Sequence, residues 1–265
     1  EPNDKTTPEQ AARKVLETFL PRAFRRPARP EELEHYYALY ASAYKRSQSH
    51  ESSLLHALQG VLISPDFLFR VEEPNNAPGP RPLNNYALAT RLALFLWNSE
   101  PDGQLRQLAT QNKLHDRATL QREVDRLLND PKSDRFVEAF LDYWIDARKA
   151  EDTTPSTTLY NDYYLDDSLT EAALAETRHF FTTLMRENLP TRNIVHSDFT
   201  FLNERLAEHY GIDGVKGIAM RRVTLPPDSP RGGLVTQALV LKVTANGTTT
   251  SPVLRGKWIN ERILG

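Results

Sequence analysis

The chain has 265 residues, 33 Lys and Arg against 35 Asp and Glu, a formal net charge of −2 at pH 7 and no cysteine. A chain of this length buries a substantial core, as one large or two smaller domains. The near-balanced charge argues against a general binder of nucleic acid or membrane surfaces, which needs clustered Lys and Arg. Without cysteine there is no disulfide, thiolate nucleophile, Cys-ligated zinc or covalently attached c-type haem. No apolar run approaches the ~20 residues needed to cross a bilayer. A start at Glu1-Pro2 with no signal peptide is what a processed or excised piece of something longer would show.

In chain order, Thr7-Pro8-Glu9-Gln10 reads as a helix start, with Ala11, Ala12, Val15, Leu16, Phe19 and Leu20 behind it and Pro21 as an interruption. A second helix begins near Pro30, with Tyr36, Tyr37, Tyr40 and Tyr44 as its stripe, and a third near Glu51; Ser64-Pro65-Asp66 then restarts a short turn. The segment 72–82, EEPNNAPGPRP, is the clearest boundary, because its prolines and glycine disfavour helix and central strand. Beyond it Asn84 or Asn85 caps a helix ending at Pro101-Asp102-Gly103. Helices over about 103–112 and 116–129 follow, then one carrying Phe136, Val137, Phe140, Leu141 and Trp144. Residues 149–167 are polar and tyrosine-rich, with Tyr160, Tyr163 and Tyr164 expected over the bundle surface. A long helix spans about 168–188, and another starts after Asp198-Phe199-Thr200, with Asp198 as its local cap, and stops at Gly211. Residues 214–230 are irregular, with Arg221–Leu225 as a candidate short strand. The pattern is all-α, a multi-helix bundle of about ten helices with a short irregular or minor β segment near 214–230.

The richest stretch is 231–265, RGGLVTQALVLKVTANGTTTSPVLRGKWINERILG. Leu234, Val235, Ala238, Leu239 and Leu241 recur at helical spacing after the Arg231-Gly232-Gly233 break. Asn246-Gly247 is a turn signal, since both residues tolerate positive φ. Ser251 is placed as an N-cap with Pro252 at the first helical position, and Leu254, Trp258, Ile259 and Ile263 form the expected buried stripe of the new helix. Thr248, Thr249, Thr250 and Ser251, the helix amides and Arg255 would converge on one spot suited to an anion or a polyhydroxylated ligand, with Thr244, Asn246 and Arg231 shaping it. The alternative is a well-capped helix whose threonines close a turn.

Several runs together carry a family resemblance: FLPRAFRRPARPEELEHY with LQGVLISPDFLFRVE, YALATRLALFLWNSEPD, DFTFLNERLAEHYGI and the closing 231–265 motif. They resemble a planctomycete-type family of exported multidomain proteins, in which consecutive domains of unknown function often follow a cytochrome c module. The resemblance implies three modules, 8–72 (a small helical unit), 80–210 (a central bundle) and 225–265 (a helix-turn-helix module packed on that bundle). It also implies an extracytoplasmic location in the periplasm or at the cell surface, other domains of the parent protein as partners, and haem c carried by the parent, with no cofactor in this fragment. It supplies no catalytic residues.

Candidate chemistry outside the closing stretch is weaker. Glu32-x-x-His35 and Glu176-x-x-His179 each offer half of a di-iron carboxylate motif, but the second half is not identifiable, so no metal site is assigned. Glu204, Glu208 and His209 would do acid and base work if buried in a cleft; an exposed helix face laced with ion pairs has the same sequence. Noncovalent haem ligation by a His, Met185 or Met220 competes with ordinary core packing. Two function classes follow: a module of an extracytoplasmic haem-associated redox protein, or a noncatalytic scaffold or binding module for polysaccharide or a cell-envelope partner. A hydrolase built on the Glu204–His209 cluster ranks third.

Overall fold

The computed structural model describes residues 6–70, 79, 82–152, 154–160 and 166–265. Among them are twelve α-helices, short 3-10 turns and one two-stranded sheet, so the fold is mostly α with a minor β element. Tyr163, Tyr164 and most of the expected 72–82 boundary lie outside the described residues. No described helix is long and apolar enough to cross a membrane. The chain divides into two compact units, Glu1–Leu127 and Leu128–Gly265. The division falls inside the central bundle expected over 80–210, because the helices before it bond among themselves, as do those after it.

In the first unit, α1 (Pro8–Ala23) opens with a capping box in which the Gln10 amide donates to Thr7 Oγ1 (3.3 Å) and the Thr7 amide to Gln10 Oε1 (3.1 Å). Pro21 does not interrupt α1. It falls in the last turn, where the missing donor removes a single ladder bond, and the helix ends two residues later. With α2 (Pro30–Ser47), α3 (His50–Leu62) and α4 (Pro65–Leu68), α1 encloses a core of Leu16, Leu20, Tyr36, Tyr40 and Val61. The tyrosine stripe of α2 thus faces inward at Tyr36 and Tyr40. Arg25, at φ 57°, donates to the carbonyls of Asp66, Phe67 and Phe69 and so ties α4 to the end of α1.

Asn84 caps α5 (Asn85–Trp97) through the Ala87 amide at 2.8 Å, while Asn85 Oδ1 accepts instead from the Leu114 amide. Between the start of α6 (Gly103–Thr110) and α7 (Arg117–Asn129), Arg126 bridges Asp102 (2.8 Å) and the buried Glu123 (2.7 Å), and Gln104 donates to the same Glu123. Trp97 Nε1 donates to the Leu127 carbonyl at 2.9 Å.

The second unit is built on α8 (Asp134–Trp144) and α9 (Asp167–Arg186), whose Val137, Leu141, Phe180 and Leu184 share a core with Phe199, Leu234, Leu239, Val240 and Trp258. One expectation is corrected at 199–202. These residues form strand β1, antiparallel to β2 (Arg221–Thr224) with Phe199 opposite Thr224, rather than a helix start. The cap of α10 (Glu204–Tyr210) is accordingly Asn203, not Asp198, whose carbonyl accepts from the Leu225 amide. The Arg231-Gly232-Gly233 break is a close approach of two backbones. A Cβ on Gly232 would stand 2.6 Å from the Ser197 carbonyl oxygen, and one on Gly233, at φ 81°, 2.7 Å from the Val195 carbonyl carbon. A 3-10 turn at 234–236 then leads into α11 (Ala238–Val243), and Pro252 opens α12 (Pro252–Ile259). Leu254 is 48% exposed, so the buried stripe of α12 reduces to Trp258, flanked by half-buried Ile259 and Ile263.

Candidate binding site

The corner between α11 and α12 follows from its own sequence. Asn246 Oδ1 accepts from the amides of Thr248 (3.1 Å) and Thr249 (2.8 Å) and from Thr248 Oγ1 (3.0 Å); Gly247 takes φ 82°, and Ala245 bridges Thr250. Ser251 Oγ caps the Leu254 amide at 3.3 Å. Arg255, one turn into α12, reaches back over the turn. Its Nη2 donates to Thr250 Oγ1 (2.7 Å) and its Nε to Thr244 Oγ1 (3.3 Å), while Thr244, itself buried, donates to the Val240 carbonyl (2.8 Å). Residues 154–160 are laid against the corner by two bonds, from Tyr160 OH to the Thr248 carbonyl (2.7 Å) and from the Ser156 amide to the Gly247 carbonyl (2.8 Å).

Beside these residues is a hollow of about 460 Å³ lined by Pro155, Tyr160, His209, Leu241, Lys242, Ala245, residues 247–250 and Arg255. Many hydroxyls of the corner are therefore engaged internally, yet the space next to them is open. No carboxylate is among the described residues of its lining. Burial pulls the Lys242 ammonium below the ordinary lysine range, with Glu151 the acid acting on it in the opposite direction. His209 is likewise held low by its burial and then by Arg231 and Arg205.

The other expected site residues are dispersed. Arg231 is not in the lining: its guanidinium lies 3.6 Å from the centre of the Tyr210 ring and donates to the Thr236 carbonyl (3.0 Å), so it reaches the hollow only through its field on His209. The acid and base cluster is not assembled. Glu204 accepts from Lys216 Nζ and the Gly217 amide, both at 2.7 Å, Glu208 is exposed, and of the three only His209 faces the hollow. Glu32 pairs with Arg26 at 2.7 Å, and among the described residues no group of three or more His, Cys, Asp or Glu could hold a metal. A second hollow, of about 470 Å³, lies along α8 and α9, where Arg178–Glu138 (2.6 Å) and Arg186–Asp134 (2.8 Å) already pair across it.

The half-motif at Glu176 has a different role from metal binding. Glu176 is 1% exposed and accepts from Thr200 Oγ1 and Tyr210 OH, both at 2.5 Å, and Tyr210 OH in turn accepts from the Ala238 amide (2.7 Å). One carboxylate thus ties α9, β1, α10 and α11 together behind the corner. Burial raises Glu176 to about 7, against the opposing pull of its two hydroxyl donors and Arg231. The signal for this was available: Ala172, Glu176, Phe180 and Leu184 follow the helical period, which puts an acid on the apolar face of α9. His179, exposed three residues further along α9, stacks on Phe201. No comparable signal marked Lys242 or Tyr160, which reach the hollow only through the path of the chain.

Three family models match the chain. Residues 11–72 match PSD5, protein of unknown function (DUF1595); residues 83–212 match PSD4, protein of unknown function (DUF1592); and residues 231–265 match PSCyt3, protein of unknown function (DUF1588). Together they support a planctomycete-type multidomain family. The link to a cytochrome is carried by the name of the third model alone. Among curated proteins and among solved structures, nothing matches the chain.

Proposed function

We propose that this chain is an accessory binding module of an extracytoplasmic, haem-associated redox protein, and that the corner between α11 and α12 is the face it offers to a ligand or to another domain of the parent. The observation that carries this reading is the open hollow beside Arg255 and Thr248–Thr250, whose lining holds two cations, hydroxyls and the His209 imidazole, with no carboxylate among its described residues. The module adjoining that face, residues 231–265, is the one whose family name points to a cytochrome. Having no cysteine, the chain cannot attach a c-type haem covalently, so the haem of this reading belongs to the parent. A pyridine haemochrome spectrum and a reduced-minus-oxidised difference spectrum of the parent protein test it. Haem bands are expected, and their absence from a fully expressed parent removes the redox assignment.

A second reading, a module for polysaccharide, is favoured by one feature, the Tyr160 ring and the three threonines around the same hollow. Binding of neutral glycans by a parent without haem selects it.

A further inference from the structure

The hollow at the α11–α12 corner is lined by two cations, Arg255 and Lys242, and by no carboxylate among the described residues. Five arginines of the second unit stand opposite acids: Arg178 with Glu138, Arg186 with Asp134, Arg205 with Asp166, Arg222 with Glu187 and Arg262 with Asp146. Arg255 has hydroxyl partners only, on Thr244 and Thr250, among the described residues. Those two bonds use Nε and Nη2 and fix the plane of the guanidinium without neutralising it. Lys242, in the same lining, forms no ion pair among the described residues, although its surroundings are dry enough to disfavour its charge. Two cations line one partly dry hollow with no ion pair to either among the described residues, Glu151 acting on Lys242 only from beyond ion-pair distance, and this leaves a place for an anion. Of the rest of the lining, which includes His209 and Thr248–Thr250, Leu241, Ala245, Pro155 and the Tyr160 ring are apolar or aromatic and make room for a ring rather than for a bare ion.

We infer that this hollow binds a single oxyanion group, a carboxylate or sulfate, carried on a ring-sized body, with Arg255 and Lys242 holding the anion and the Leu241, Ala245 and Tyr160 side receiving the ring. The inference rests on the reading of the chain as a binding module and names the ligand class of the same site. Arg255 is the preset donor, since its fork is already oriented by the threonines. Lys242 adds charge from α11. The Arg231 guanidinium, whose field already bears on His209, adds positive potential from behind the wall.

Titration calorimetry on the full chain with three probes tests this: glucuronate, glucose and sodium sulfate, each with wild type, Arg255→Met and Lys242→Met. Glucuronate is expected to bind at least tenfold more tightly than glucose or sulfate, and each variant is expected to weaken it about tenfold or more. Since Arg255 also staples the corner, circular dichroism and melting temperature are measured in parallel; Lys242→Met, which breaks no hydrogen bond described here, decides the matter if Arg255→Met misfolds. Equal affinity for glucose and glucuronate overturns the role of the cations and leaves the binding-module reading in place. Sulfate binding as tight as glucuronate overturns the ring-sized body. No binding of any probe overturns the inference, and the binding-module reading then stands or falls on the parent's haem and glycan assays. Undiminished glucuronate binding by folded Lys242→Met and Arg255→Met places the ligand elsewhere and also overturns the inference.

Discussion

Replacing Glu176 by Gln perturbs the buried network with almost no change in volume. The carboxyl is 1% exposed, and burial moves it from the ordinary 4.5 to about 7 in the folded chain. A displacement of that size corresponds to about 3 kcal/mol, at 1.36 kcal/mol for each pKa unit. The sign follows from linkage. The folded value lies above the unfolded one, so the contribution to stability is complete below about 4.5 and is lost as pH rises through about 7, where the folded unit must carry a buried carboxylate. Glutamine has no charge to bury. The difference in opening free energy between wild type and Glu176→Gln should therefore move by about 3 kcal/mol in favour of the variant between pH 4 and pH 8. Taking the difference cancels every titrating group the two chains share. Hydrogen exchange of amides in α9, corrected for the pH dependence of the intrinsic rate, reads this difference within the second unit without assuming that the two units unfold together. A wild-type-minus-variant difference that stays constant across this range would refute the reasoning, because it would mean that Thr200, Tyr210 and Arg231 fully compensate the desolvation of the carboxylate.

Gly233→Ala should cost about 3 kcal/mol or more, since φ 81° is costly for alanine and its Cβ would meet the Val195 backbone at 2.7 Å. Gly256→Ala, with nothing within 4 Å of the added carbon, should be neutral or stabilising by up to about 1 kcal/mol, and melting curves of the two variants check the contrast. In the first unit, Arg126→Met should cost about 3 kcal/mol, because it removes the cation that the buried Glu123 accepts from at 2.7 Å. Trp97, whose ring the Arg126 guanidinium overlies at 5.4 Å, supplies the fluorescence signal for that unfolding, and an unchanged urea midpoint would contradict the pairing.

Most helices and several of their starts were legible because they are local. Thr7, Ser64, Asn84 and Ser251 each accept from an amide three residues ahead, a bond that needs no distant partner; Asp102, read as the stop of one helix, caps the next in the same way. The Asn246-Gly247 turn is local in the same sense, and so are the helical periods of α5, α8 and α9. The strand at Phe199–Leu202 was not legible, since a short apolar run suits either period and the pairing that settles it comes from Arg221–Thr224, some twenty residues later. Leu254 had the right spacing for burial, but the described residues of its unit leave it 48% exposed. The candidate site divides along the same line. Its hydroxyls, turn and helix start are written in residues 244–255, whereas the hollow exists because residues 154–160, His209 and Lys242 are brought beside them, and the inward turn of Glu176 depends on Thr200 and Tyr210 arriving from other elements. Caps and turns are satisfied within one stretch of backbone, so sequence alone determined them. Whether a charge is paired, buried or left facing open space depends on which distant groups surround it, and only the tertiary structure decided that.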